Sequence, residues 1–221
     1  MSSDPKSSRG FFLIVVLVNA GLVAWWWLSQ QQISHENGPI ENLQAITLLV
    51  TFALFCMTAA KDSGVVRTAA IALAASSFLL LVREIDLRAY IAPEWRVTAS
   101  AGAKQLMWLV AASTLVYVLT RYRHLLKVIR SSLTPEAWKA WAFYLWLPLL
   151  IVSQLIEEWT DVTRLDDRYA YWASGQFWEE IFELNAYLVF LYTAYLLKIA
   201  GRRSRAARAS ADAMRHAPRS N

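Results

Sequence analysis

Cysteine occurs once in 221 residues, histidine three times, glycine seven times and proline six times. A single cysteine excludes a disulfide-stapled scaffold. Three scattered histidines leave no Cys/His spacing of the kind that holds structural zinc. Few glycines exclude a collagen-like repeat, and no glycine-rich phosphate loop or nucleophile elbow is present. Charge is also scarce: 18% of residues are charged, against about 25% in an average soluble chain. What fills the space is apolar. Such residues make up 57% of the chain, and the mean hydropathy is +0.31. That composition excludes intrinsic disorder and asks where so much apolar surface goes.

It goes into long runs. A membrane-crossing helix needs about 20 mostly apolar residues. Six stretches qualify: 11–28, 42–60, 66–82, 105–120, 140–156 and 176–199. The connections are short, so the chain reads as an all-α, polytopic membrane protein, one six-helix transmembrane domain over residues 11–200. Residues 1–10 form a short tail, and 201–221 a basic tail read as an extension of the last helix that frays into disorder. A soluble bundle would show polar residues every third or fourth position on an outer face. The runs Ile46 to Ala60 and Ala69 to Val82 do not. The first run ends in Trp25, Trp26 and Trp27, which suit a membrane interface, and it is longer than a signal-peptide core.

Basic residues gather on the cytoplasmic side of membrane proteins. Six spans put both termini on one side, which then holds 16 of the 22 lysines and arginines. The expected topology is therefore N-in and C-in, with the positive side meeting anionic lipid headgroups. The basic segment after residue 201 lacks aromatics for base stacking, so no nucleic-acid partner is expected. The acids are skewed the other way, with 13 of 17 at or beyond the outer helix ends. Acidic residues do not set topology, so this skew needs a separate cause.

Several of these acids lie inside spans. The run Thr68 to Val82 is too short to cross unless it takes in Arg83, Glu84, Ile85, Asp86 and Leu87. The run Leu184 to Leu197 must likewise include Glu183, Glu180 and Glu179. Gln176, Glu180, Glu183 and Tyr187 fall on one helical face. Gln154 shares a face with Glu157 and Glu158, and Glu41 with Gln44. A charge at the bilayer centre costs about 2.5–3.5 kcal/mol, and less toward the edge. These groups are therefore expected to face the bundle interior. Carboxylates crowded together cannot all stay ionised without protons, arginine or a cation.

Glu41, Glu84, Glu158, Glu180 and Glu183 are thus the candidate ligands or proton carriers, with Glu180 and Glu183 as candidate catalytic groups. Glu36, Gln44, Arg83, Asp86, Gln154, Asn185 and Tyr187 are candidate supporting residues around them. An oxygen-rich set suits a divalent cation such as Mg²⁺, Ca²⁺ or Mn²⁺. The di-iron bundle pattern pairs Glu with Glu-x-x-His, and Glu180-x-x-Glu183 lacks that histidine. His35 is the lone histidine on the outer side and reads as a surface residue. A structural reading stands beside the functional one: Glu41 and Glu179 as helix-start acids, Arg83 as a neutralising partner, and Glu94, Asp161, Asp166 and Asp167 as solvated loop charges. Cys56 reads as a small core residue, and Pro148 as the origin of a kink in the fifth span.

The motifs Glu36-Asn37-Gly38-x-x-Glu41-x-x-Gln44, Arg83-Glu84-x-Asp86 and Glu179-Glu180-x-x-Glu183 resemble those of a loose group of uncharacterised multi-pass inner-membrane proteins of bacteria. The resemblance implies a bacterial inner-membrane location and no activity. The sequence supports a cation- or proton-binding site serving hydrolysis of a lipid or periplasmic substrate through a metal-bound water, or ion-coupled transport. The competing class is an interaction subunit whose acidic outer face docks a partner.

Overall fold

The computed structural model describes residues 5–29, 38–85, 92, 95–123, 126, 141–164 and 169–216. Among them are six long helices: α1 (Pro5–Ser29), α2 (Pro39–Lys61), α3 (Gly64–Glu84), α4 (Arg96–Thr120), α5 (Trp141–Arg164) and α6 (Tyr169–His216). The protein is all-helical, and five of these helices, α1, α2, α3, α4 and α6, are long and apolar enough to cross a membrane.

The last helix is the centre of the bundle. Its 48 residues extend about 72 Å at 1.5 Å per residue, against a hydrocarbon core of about 30 Å. Two of its faces are buried. Tyr187, Phe190, Ala194 and Leu197 pack with Leu48 and Phe55 of α2, Ala70, Ala74 and Leu81 of α3, and Leu150 of α5. Phe177, Ile181, Leu184 and Leu188 pack with Ile40 of α2 and Leu22 of α1. An apolar helix covered on both sides is the expected core element of such a bundle.

Specific contacts give the helix directions. Gln44 of α2 meets Glu180 of α6, while Asp62 just beyond α2 meets Arg205, so these two run parallel. Ser153 of α5 meets Glu183 and Trp146 stacks on Phe190, so α5 runs antiparallel to α6. Phe11 stacks on Tyr192 and Trp26 on Phe177, so α1 is antiparallel to it too. The starts of α2 and α6 and the ends of α1, α3 and α5 therefore lie at one end of the bundle.

Helix α2 starts earlier than its apolar run, at Pro39 after Gly38. Proline suits the first helical position because its missing N–H needs no partner there. Glu41 thereby falls in the first turn. The α2–α3 connection is two residues, Asp62 and Ser63, and Gly64 then adopts φ +64°, a left-handed backbone that glycine takes without strain. Starting at Gly64 gives α3 21 residues, Arg83 and Glu84 included. The expectation that α3 takes in Ile85 is corrected accordingly. The helix stops at Glu84, and Ile85 N–H bonds back to Leu81 O. Asp86 and Leu87 lie outside the described residues.

The segment after residue 201 extends the last helix to His216, as its alanines and arginines favour. Two other expectations change. Helix α1 begins at Pro5, inside the expected tail. Cys56 is exposed on α2 and is no core residue. Helix α5 continues through Pro148.

At the end opposite the glutamates, Asp62 lies directly over Gly201 and pairs with Arg205. A Cβ at Gly201 would occupy the space of the Asp62 carboxylate. Gly201→Leu should therefore cost about 1–3 kcal/mol by overpacking and by expelling Asp62 from Arg205. Gly102→Ala, with nothing within 4 Å, should be neutral or stabilising. Thermal unfolding in detergent checks both, and equal melting temperatures for the two variants would remove the Asp62 clasp.

Candidate functional site

The acids of α6 sit one turn apart on its buried face. Glu180 is 8% exposed and Glu183 4% exposed. Three neighbouring helices close over them at the end where α2 begins and α3 and α5 finish.

Glu183 is held from two sides. Arg83 Nη2 at the end of α3 donates to its Oε1 at 2.7 Å, and Ser153 Oγ of α5 donates to the same oxygen at 3.3 Å. Ser153 is fully buried, and its single hydroxyl proton is shared between Glu183 Oε1 and Leu150 O of its own helix, the latter at 3.0 Å. A charge-assisted bond to arginine is the strongest pairing a carboxylate finds in protein. Here it ties α3 to α6.

Glu84, next to Arg83, accepts a bond of 2.7 Å from the hydroxyl of Tyr187, one turn beyond Glu183 on α6. Tyr187 is fully buried. Arg83 and Glu84 thus point two adjacent side chains of α3 at successive turns of the same α6 face.

Glu180 has a different neighbour. Gln44 of α2, fully buried, donates from Nε2 to Glu180 O at 3.0 Å and to Glu180 Oε2 at 2.8 Å. Its own carbonyl oxygen, Oε1, is buried and has no hydrogen-bond partner. Among the described residues no lysine or arginine pairs with Glu180. Glu41, one turn outward from Gln44, lies within electrostatic reach of both Glu180 and Glu84, and Glu84 within reach of Glu183.

The residues expected from sequence thus separate. Glu41, Glu84, Glu180 and Glu183 gather, together with Gln44, Arg83 and Tyr187. Glu158 is exposed on α5 and stands apart. Gln154 is exposed too, and donates to Glu157 Oε2 at 2.6 Å. The inward-facing residues of α5 are instead Ser153 and half-buried Glu157, which acts electrostatically on Glu183. Their spacing, i and i+4, is a shared face readable from the sequence. Gln154 and Glu158 each lie one residue off that face and point outward.

Asn185 works elsewhere. Its side-chain amide and that of Asn19 on α1 bond reciprocally, at 2.8 and 2.9 Å. Each also donates to a carbonyl one turn back on its own helix, Val15 O and Ile181 O. This polar clamp fixes α1 to α6. Glu36 and Asp86 lie outside the described residues, as does His35. Of the three tryptophans expected at an interface, Trp25 and Trp27 are exposed, whereas Trp26 stacks flat on Phe177.

Chemically, the site brings more carboxylates than bases to a buried place. Among the described residues no three His, Cys, Asp or Glu side chains converge as ligands of one metal ion. Each acid has its own neighbour, and Glu180 has the weakest compensation. Comparison with known protein families, with curated proteins and with solved structures finds no match to this chain.

Removing one member of a buried ion pair leaves the other uncompensated, whereas replacing both is often near neutral. Arg83→Met should cost about 2–3 kcal/mol, below the about 3–5 of a fully buried pair, because the Arg83 side chain is 37% exposed. Adding Glu183→Met should recover most of that loss. Unfolding of the single and double variants in detergent measures the difference, and additive losses would mean that the two side chains do not act on each other.

Proposed function

We propose that the chain is a six-span protein of a bacterial inner membrane with both termini in the cytoplasm, and that its outer carboxylates bind a cation or protons in ion-coupled transport. The sixth span is α5. What supports it is the packing of α5 along α6 through Trp146, Leu150 and Ser153, side by side with helices that are long enough to cross. The basic excess on one side supports the orientation.

The observation that carries the functional reading is the charge imbalance on α6. Glu180 is almost fully buried and bonded to an amide, with no basic partner among the described residues. Ionisable groups in this setting are costly and mark ion or proton paths in membrane proteins. A carboxylate set between helices, reached from one end, is a place where an ion or proton is taken up and released.

Hydrolysis through a metal-bound water has less geometric support. Such a site holds its metal with three protein ligands and leaves a position open. The described acids do not converge that way. A second reading, in which the acids serve only to lock helices, draws on the Arg83–Glu183 and Tyr187–Glu84 bonds. It leaves Glu180 without a purpose.

The two readings part in one experiment. Full-length protein in detergent is unfolded by heat across a pH series and with added Na⁺, Mg²⁺, Ca²⁺ or Mn²⁺, for wild type and for Glu180→Gln. An ion-binding site makes the wild-type melting temperature depend on ion or pH, since anything that binds only the folded state stabilises it. Glu180→Gln should remove most of that dependence while the protein still folds. Identical responses in both proteins would reject the site. A reporter fused after Asn221 should read as cytoplasmic, and a periplasmic signal would overturn the topology.

A further inference from the structure

Gln44 is fully buried, and both of its hydrogen bonds to Glu180 leave from Nε2. They go to two acceptors of one residue, the Glu180 backbone carbonyl and its carboxylate. That fixes which way the amide lies. Turned over, its oxygen would face two acceptors, with no proton between them. Oε1 of the same amide is buried and lacks a donor. A buried acceptor left without a partner is destabilising, and native structures rarely keep one without a reason.

Among the described residues two shortages thus occur at one place: a carboxylate with no base, and an amide oxygen with no donor. The obvious donors nearby are engaged. Arg83 bonds Glu183, and the Tyr187 hydroxyl bonds Glu84. A bound cation would meet both shortages, because hard cations take carboxylate and amide oxygens together. Divalent calcium and magnesium ask for denser carboxylate ligation or a strict octahedron, and no trio of acids converges among the described residues.

We propose that Glu180 and Oε1 of Gln44 hold one monovalent hard cation, sodium, entering from the end of the bundle marked by Glu41. This rests on reading the cluster as an ion-coupled site, and it names the ion and its ligands. Glu41 lies one turn outward on α2, within electrostatic reach of Glu180. Thr47, one turn inward on the same face of α2, is also buried, and its hydroxyl donates to Leu43 O, which leaves oxygen lone pairs available.

The test uses full-length protein in neutral detergent at fixed pH and ionic strength, in sodium, potassium or choline chloride. Binding of radioactive sodium and thermal unfolding are measured together. The expected result is saturable binding of one sodium per chain and a melting temperature that rises with the logarithm of sodium concentration. Gln44→Met, which keeps the shape and removes the oxygen, should lower sodium affinity at least tenfold. Glu158→Gln, on the exposed face of α5, should not change it. If Gln44→Met does not fold, the wild-type isotherm decides alone. Equal melting temperatures in sodium and choline, with no saturable sodium uptake, would overturn the proposal. A response to pH or to magnesium that persists in that case would leave the carboxylate site standing without sodium. No response to any ion or to pH would remove both.

Discussion

On the buried face of α6, Glu180 and Glu183 lie one turn apart and face Glu84 across the interface, with a single arginine among them. A low-dielectric interior does not tolerate such an imbalance without compensation, and each neighbouring helix supplies part of it. Helix α3 contributes Arg83, α5 contributes Ser153, and α2 contributes Gln44. Because these partners are fixed to their helices, the demand for compensation also fixes how α2, α3 and α5 sit around α6. Apolar packing lower down, through Phe55, Phe190 and Trp146, then fills the space those contacts define.

The bundle is clasped at two levels. The α2–α3 hairpin meets α6 through Gln44, Arg83 and Glu84 at one end and through Asp62 over Gly201, with Arg205, at the other. Parallel α2 and antiparallel α3 are thereby held to the same long helix across its apolar length. Helix α1 is attached differently, by the Asn19–Asn185 pair and two aromatic stacks, with most of its surface exposed. In membranes, where burying apolar surface gives no drive between helices, such amide pairs contribute about 0.6–2 kcal/mol each. The carboxylates belong to the tightly clasped part, so a change of charge there is felt by three helices at once.

Much of this was legible in the sequence. Apolar runs gave the helices, because lipid-facing and core-facing residues are both apolar and the run length is set by the membrane. Placing the acids at helix ends, and Glu180, Glu183 and Tyr187 on one face, required only helical periodicity. Helix ends were less legible. Gly64 and Pro39 extend α3 and α2 backwards, and an apolar-run count ignores both. Rotation of a helix about its axis was the other obstacle. On α5 the choice between Glu157 and Glu158 depends on which face meets α6, and Ser153 decides it through Glu183. Asn185 looked like part of the cluster by proximity in sequence, yet its face turns to α1. The orphaned oxygen of Gln44 has no signature in sequence at all, since it depends on how one amide is oriented in three dimensions.

The central claim is that α2 and α6 meet at Gln44 and Glu180 while the Glu158 face of α5 stays outside. Cross-linking in native membranes tests that without reference to any ion. In a Cys56→Ser background, Gln44→Cys with Glu180→Cys should be joined by a short bifunctional thiol reagent. The pair Glu158→Cys with Glu180→Cys should not be. Linking of the second pair with failure of the first would contradict the arrangement.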